Sequence, residues 1–256
     1  MDEKNTLVEI AKKAGQILYN GWEKKDLAVY FKGEINPVTE IDKKVELFIK
    51  ESLKEAFPNY GILTEESEEI VGHVNARWII DPLDGTTNYI KRYPFVAISI
   101  ALEKEGQLVL GLVYNPILNE MFIGQKGHGA TYNGKPIHVS AINRLSSAVL
   151  GSGFPYDAWE NPDNNTFQWA RFITNCISLR CDGSAALDLC RVACGQLDGY
   201  WEKGISSWDI AAGIVIVREA GGKVTDYLGG EDFFLRGEII AANPVLHVEM
   251  IKFVTN

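Results

Sequence analysis

Two carboxylates, a glycine and two hydroxyls follow directly on an apolar run in Trp78-Ile79-Ile80-Asp81-Pro82-Leu83-Asp84-Gly85-Thr86-Thr87-Asn88. Trp78, Ile79 and Ile80 have the bulk and β-branching of a buried strand. Pro82, with no N–H to give a ladder, is expected to end that strand at Asp81. Asp84 comes three residues later, and Gly85 lets the backbone turn tightly enough for neighbouring N–H groups to face an anion. Such a turn suits a phosphate, yet two carboxylates beside it would repel a bare phosphate dianion. The pattern makes sense where a hard cation such as Mg²⁺, taken up by oxygen ligands, lies between the acids and the anion. An isolated Asp-Gly would read as a turn and an isolated Asp as a helix cap; the length of the run sets this one apart.

The run resembles the signature of the inositol monophosphatase family of Mg-dependent, lithium-sensitive phosphatases, matching Trp-x-x-Asp-Pro-Leu-Asp-Gly-Thr-Thr-Asn throughout. Trp208-Asp209-Ile210-Ala211-Ala212-Gly213 is similar to the second signature of that family. Alone, Asp209 would read as the cap of a helix from Ile210 to Ala220 that stops at Gly221-Gly222. Two signatures in the right order extend the resemblance over nearly the whole chain. It implies that Glu65, Asp81, Asp84 and Asp209, with the backbone carbonyl of Leu83, hold two or three Mg²⁺, Asp81 bridging. It implies Asp42, Glu65 and Thr86 as catalytic residues, Asp42 drawing on the Thr86 hydroxyl so that its lone pair faces the attacking water. The backbone N–H groups of Gly85 and Thr86 would hold the phosphate. On composition alone Glu65 to Glu69 would be a solvated acidic loop; the family's Glu-Glu pair after a short strand is what singles out Glu65. Asn36-Pro37 stands where many relatives carry an acid before Val-Thr, which leaves the third metal open.

The same resemblance extends to the leaving group. Gly183-Ser184-Ala185-Ala186 is similar to the family's Gly-(Ser/Thr)-Ala-Ala segment, although close helix packing accounts equally well for the alanines. Asp84, Gly183, Ser184, Ala185 and Glu202 are the implied substrate contacts, and myo-inositol monophosphate the implied substrate. Related enzymes take fructose 1,6-bisphosphate, histidinol phosphate or 3′-phosphoadenosine phosphates. Bisphosphates suit this chain less, because no Lys/Arg cluster near the motifs could hold a second phosphate; Arg180, Lys91 and Arg92 stay open as contacts. A regulatory interaction role, which some bacterial relatives have beside catalysis, has no sequence feature in its favour. A homodimer and inhibition by Li⁺ come with the resemblance alone.

Composition sets bounds on these readings. The 256 residues are 46% hydrophobic and 23% charged, ordinary for a globular protein. A net charge of −9 argues against nucleic-acid binding through a broad basic face. Met1-Asp2-Glu3-Lys4-Asn5 leads into an amphipathic pattern rather than a signal peptide, and no apolar run approaches a membrane span. Cys176, Cys181, Cys190 and Cys194 form no Cys-x-x-Cys pair. Cys190 and Cys194, four apart, read as buried thiols rather than half of a soft-metal site. The expected compartment is the reducing cytoplasm.

The elements that must position the acids follow from periodicity. Leu7, Ile10, Ala11, Ala14, Ile17 and Leu18 predict an amphipathic helix over about 6–20, ending near Gly21. Lys32 to Thr39 reads as turn-rich. Thr39-Glu40-Ile41-Asp42 reads as a capping box opening a helix that buries Val45, Phe48, Ile49, Leu53 and Phe57. Pro58 to Gly61 stops it, and Ile62-Leu63-Thr64 is a short strand delivering Glu65. Strands over 95–102, 108–114 and 121–123 follow, with hairpins at Glu105-Gly106 and Asn133-Gly134. His128, between two glycines, reads as an exposed loop residue. A polar segment over 140–147 separates an N-terminal α+β lobe (1–140) that carries the metal and phosphate motif from a C-terminal α/β lobe (141–256) that completes the site. The expected fold is α/β, a layered α+β sandwich of alternating helices and sheets similar to inositol monophosphatase and fructose-1,6-bisphosphatase.

Overall fold

The computed structural model describes residues 2–24, 28–32 and 36–255. Helix α1 (Glu3–Trp22) starts three residues earlier than periodicity suggests, because the Asp2 carboxylate accepts the Lys4 N–H as an N-cap. Strands β1 (Val29–Lys32) and β2 (Asn36–Thr39) form an antiparallel pair that the turn-rich reading of Lys32 to Thr39 did not foresee; residues 33–35 of that stretch lie outside the described residues. Pro37 is tolerated because a two-stranded sheet has only edges. Helix α2 (Glu40–Ala56) opens with the expected capping box between Thr39 and Asp42.

The chain then builds a seven-stranded sheet from β3 (Gly61–Thr64), β4 (Ala76–Asp84), β5 (Ala97–Lys104), β6 (Gln107–Asn115), β7 (Glu120–Gln125), β8 (Gly129–Tyr132) and β9 (Lys135–Pro136), neighbours in that order. The short helix α3 (Thr86–Lys91) follows β4. Only the β3–β4 pair is parallel. Glu105 and Gly106, and likewise Asn133 and Gly134, all take positive φ, as two-residue hairpins require.

The second half alternates β10 (Val149–Ser152), α4 (Thr166–Ile173), β11 (Ser178–Arg180), α5 (Ala185–Ala193), β12 (Gly199–Lys203), α6 (Ser207–Glu219), β13 (Lys223–Thr225), α7 (Phe233–Arg236), β14 (Glu238–Ala242) and α8 (Pro244–Val254). Its five strands lie in the order β11-β10-β12-β14-β13.

Side-chain alternation along β4 sets the layering. Trp78 and Ile80 face α1 and α2, packing with Leu7, Val45 and Ile49. Ile79 faces the other way, into a core shared with Leu189 of α5, Ile210 of α6 and Tyr200 of the second sheet. On the outer side of that sheet, Trp201 and Ile240 pack against Phe172 of α4 and Met250 of α8. The result is helix, sheet, helix, sheet, helix, the alternation expected from the sequence. Helix α6 lies unusually close to the first sheet because Gly111 and Gly124 face it; a Cβ at either would strike the α6 backbone at Ala212 or Ile216. Its N-terminus is thereby brought to the strand that carries Asp81.

Candidate metal centre

Register explains how distant acids converge. In the parallel β3–β4 pair Thr64 lies opposite Ile80, so the next residues, Glu65 and Asp81, leave that register side by side. The β4–β5 ladder pairs Asp81 with Ser99 and next Asp84 with Ala97, three steps on one strand against two on the other. The strand therefore does not end at Asp81, as Pro82 had suggested; it bulges and resumes. Pro82 sits inside the bulge, where a missing N–H costs no ladder bond. The extra residue also matters for direction. Residues three apart on a regular strand face opposite sides, and a one-residue bulge restores them to the same side. Leu83 N–H donates to Asp81 Oδ1 at 2.9 Å across that bulge. Asp209 arrives from the first turn of α6, where Ser206 N–H donates to its Oδ2 at 2.8 Å. The Ser99 hydroxyl, opposite Asp81, donates to the Trp208 carbonyl at 3.3 Å and fixes that helix end against the sheet.

Asp81, Asp84 and Asp209 form one cluster in which one oxygen of each lies within 4.8 Å of the others. Each carboxylate spends an oxygen on a donor: Asp81 on Leu83, Asp209 on Ser206, and Asp84 on the Ser184 hydroxyl at 2.6 Å and the Ala186 N–H at 2.8 Å. The second oxygen of each can serve as a ligand. Burial and then the charges of Glu65, Asp84 and Asp209 push Asp81 well above the usual carboxylate range. Burial lifts Asp84 to about 6, against the pull of Ser184 and the nearby amides. Burial and the Asp84 charge lift Asp209 to about 8. Glu65 stands outside the three-residue cluster, yet its charge raises both Asp81 and Asp209. Hard oxygen donors, crowded, desolvated and holding protons they would ordinarily lose, fit a hard divalent cation such as Mg²⁺.

Asp42 is almost fully buried at the start of α2. Its Oδ2 accepts from the Thr39 N–H at 2.9 Å and the Thr39 hydroxyl, and its Oδ1 lies 3.0 Å from the Thr86 hydroxyl. Thr86 Oγ1 is also 3.1 Å from the Leu83 carbonyl. Gly85 takes φ 89°, and a Cβ there would meet the Phe95 carbonyl at 2.9 Å, so no other residue fits this turn without strain. Asn88 donates to the Phe95 carbonyl at 2.9 Å and the Asp182 carbonyl at 2.7 Å, tying the motif to the segment before Gly183.

A cavity of about 290 Å³ opens beside the cluster, lined by Asp84, Gly85, Gly183, Ser184, Ala185, Glu202 and Asp209 among others. Burial, with Asp209 and Asp84, pushes Glu202 well above its usual range, and the Tyr200 hydroxyl donates to its carboxylate. Tyr156 and Asp188 are among the cavity residues to which sequence gave no role. Tyr156 comes from a loop without periodicity. Asp188, 2% exposed, has an Oδ1 without a hydrogen-bond partner among the described residues. Arg180, Lys91 and Arg92 are not in the lining; Arg92 donates to the Lys24 carbonyl and Arg180 to Ser178 and Leu179. No Lys or Arg among the described residues lines this cavity. A larger hollow of about 410 Å³, flanked by Arg218 and Phe233, holds no such acid cluster among the described residues. His128 is exposed as expected, and of the two paired thiols Cys190 is buried and Cys194 partly so.

These shifts set a pH dependence for the cation-free protein. Carboxyls whose folded pKa is raised contribute stability that is complete below about pH 4 and is lost as pH climbs through 6 for Asp84 and 8 for Asp209. The buried His247 imidazole, pushed down to about 4, works in the opposite sense below pH 6.5. The clear window is therefore about pH 6.5 to 8.5. Melting temperature in the presence of a chelator is expected to fall across it, and a divalent cation to reverse the fall. A flat chelator profile would place the acids apart.

Known proteins resemble this chain over nearly its whole length. The profile of the "Inositol monophosphatase family" matches residues 2–256. The chain is 40% identical over 252 residues to an inositol-1-monophosphatase of Mesorhizobium japonicum, covering 98% of this chain and 95% of that one. It is 40% identical over 242 residues to the Nus factor SuhB of Escherichia coli K12, covering 94% and 91%. Among solved structures, the extragenic suppressor protein SuhB of Bartonella henselae superposes with a TM-score of 0.93 at 42% identity, covering 99% and 98%. An inositol monophosphatase from Anabaena superposes at 0.88 and 39% identity, covering 99% and 96%. No helix among the described residues is long and apolar enough to cross a membrane.

Proposed function

The chain belongs to the inositol monophosphatase family, and from that premise we propose that it is a Mg²⁺-dependent phosphomonoesterase hydrolysing myo-inositol monophosphate to inositol and phosphate. The observation that carries the reading is the Asp81–Asp84–Asp209 cluster beside a cavity that no Lys or Arg among the described residues lines. Glu65, Asp81, Asp84, Asp209 and the Leu83 carbonyl would hold two or three Mg²⁺. Bound there, Mg²⁺ would lower the pKa of the attacking water, neutralise the phosphate and offset charge on the departing ester oxygen. Thr86 orients that water. Its single proton goes to one acceptor at a time, and the carboxylate of Asp42 is a stronger acceptor than the Leu83 carbonyl. With the proton held by Asp42, the Thr86 lone pair accepts from the water. The N–H groups of Gly85 and Thr86 would hold the phosphate oxygens.

Asp84, Gly183, Ser184, Ala185 and Glu202 form the proposed floor for the alcohol. The Ser184 hydroxyl is already given to Asp84, so its contribution is to fix the floor rather than to reach outward. An acid-lined floor suits a neutral polyol that shares hydroxyl hydrogen bonds; a second phosphate would find Glu202 and Asp188 and no Lys or Arg among the described residues lining the cavity. A small-molecule monoester acted on in the cytoplasm by a homodimer completes the proposal. The deciding experiment assays purified protein on a panel of phosphomonoesters with Mg²⁺ and with Mg²⁺ plus Li⁺. Turnover of inositol monophosphate above simple alkyl phosphates, with loss in Li⁺, is expected. Glu202→Ala should raise KM for the inositol ester by up to about 10-fold, the upper end for one hydrogen bond, and leave an alkyl phosphate unaffected. Preference for another sugar or alcohol phosphate would move the substrate while keeping the chemistry.

A second reading rests on relatives named Nus factor SuhB: a regulatory interaction role beside residual phosphatase activity. A complete acid cluster favours catalysis. A pull-down in which Asp84→Asn still captures a protein partner would separate the two.

A further inference from the structure

Among the proposed cation ligands, Glu65 alone lies beyond the end of its element. Asp81 and Asp84 sit within a hydrogen-bonded strand and Asp209 within a capped helix. Glu65 follows β3, the edge strand of the first sheet, whose register with β4 stops at Thr64. On its other side β3 makes one bridge among the described residues, Ile62 with Ile70. The chain on either side of Glu65 is held from α2. Glu46, 5% exposed, accepts two hydrogen bonds on one oxygen: from the Thr64 hydroxyl at 2.6 Å and the Glu66 N–H at 3.0 Å. One turn further on, Lys50 Nζ lies 3.6 Å from Glu46 Oε1 and donates to the Ser67 hydroxyl. The residues immediately before and after Glu65 are thus tied to one buried carboxylate.

We propose that Glu46 is a positioning residue for cation binding: it fixes the Glu65 backbone by clamping Thr64 and Glu66. The inference rests on the reading of Glu65 as a ligand. Glu46 lies four residues after Asp42, so both occupy one face of α2. A single rigid helix therefore references two parts of the centre, Thr86 through Asp42 and Glu65 through Glu46. What the clamp needs is an acceptor at that point rather than a charge. A glutamine carbonyl can take both donors. Alanine leaves a buried hydroxyl and an amide without their acceptor, and the segment relaxes to find others. Ligand oxygens held by such outer contacts lose affinity when the contact is removed.

The test measures Mn²⁺ binding to the full chain by calorimetry, with the Mg²⁺ concentration for half-maximal hydrolysis as a second readout. Glu46→Ala is expected to weaken Mn²⁺ by about 10- to 100-fold, with KM at saturating Mg²⁺ unchanged. Glu46→Gln should stay within about 3-fold of the parent, and Thr64→Val, which deletes one donor at constant shape, should lose about 5-fold. Thr64→Val keeps the inference testable if Glu46→Ala fails to fold. Glu65→Ala separates the two levels. If it weakens Mn²⁺ while Glu46→Ala and Thr64→Val do not, the clamp is refuted and the ligand stands. A Glu46→Gln variant as weak as Glu46→Ala refutes the acceptor role. If Glu65→Ala binds normally, the ligand reading falls and the clamp with it.

Discussion

Asp84→Asn is expected to fold normally and to lose at least about 10³-fold in kcat/KM, about 4 kcal/mol of transition-state stabilisation. The two halves of that result have separate causes. Asp84 Oδ2 accepts from Ser184 and Ala186, residues about a hundred positions away, and so joins the first sheet to the start of α5. An asparagine oxygen can accept both bonds, so the junction survives. What disappears is a charge in a place where burial already raises Asp84 and where Asp84 in turn raises Asp81 and Asp209. Removing one of several crowded acids relieves repulsion, and the cation-free variant should melt at or above the parent. Addition of Mg²⁺ then discriminates. A ligand at 100 times its Kd stabilises the folded state by about 2.7 kcal/mol; the parent should show that gain and Asp84→Asn should lose most of it. Near-normal turnover would remove Asp84 from the ligand set and take the proposed chemistry with it.

Much of this architecture was legible in residue order because local rules decide it. The Thr39–Asp42 capping box, the two positive-φ hairpins and the strand that presents Asp81 all depend on neighbours within a few residues. Of the three clustered acids, Asp81 and Asp84 share one compact motif and Asp209 lies in a second signature far along the chain. What sequence misread was Pro82: it marks a bulge rather than an end, because β5 remains in register beyond it, and only the partner strand can reveal that. The β1–β2 pair was missed since Asn36-Pro37 signals a turn more strongly than an edge. Roles that depend on distant partners were not visible at all. Glu46 is an ordinary helix residue until Thr64 and Glu66 are seen beside it, and Asp188 is a surface-type residue until its burial under the cavity is known. The same limit applies to the leaving group, whose floor is assembled from α5, β12 and the loop that carries Tyr156.

Thr86→Val should lower kcat by about 10² to 10⁴-fold, the range for a group that manages a proton in the transition state, while Mg²⁺ affinity and KM stay near the parent values. Valine keeps the shape of a residue that is 7% exposed, so packing around α3 is preserved. It removes the only hydroxyl that links Asp42 Oδ1 to the centre among the hydrogen bonds of the described residues. Asp42 supplies a second, independent signature. Burial raises its pKa, and the bonds from Thr39 and Thr86 pull it back. To take the Thr86 proton it must be ionised, so activity is expected to fall on the acid side at a pH above the ordinary aspartate range. Thr86→Ser, which restores the donor, should recover most of kcat and keep that acid limb in place. In Thr86→Val the residual rate should no longer follow Asp42, because nothing transmits its ionisation to the water. A hydroxyl that only braced the turn through the Leu83 carbonyl would give a different pattern: a lower melting temperature, an unchanged acid limb and nearly full kcat. The pH profile of the three proteins, read beside their melting curves, therefore distinguishes a residue that orients the attacking water from one that merely holds the loop.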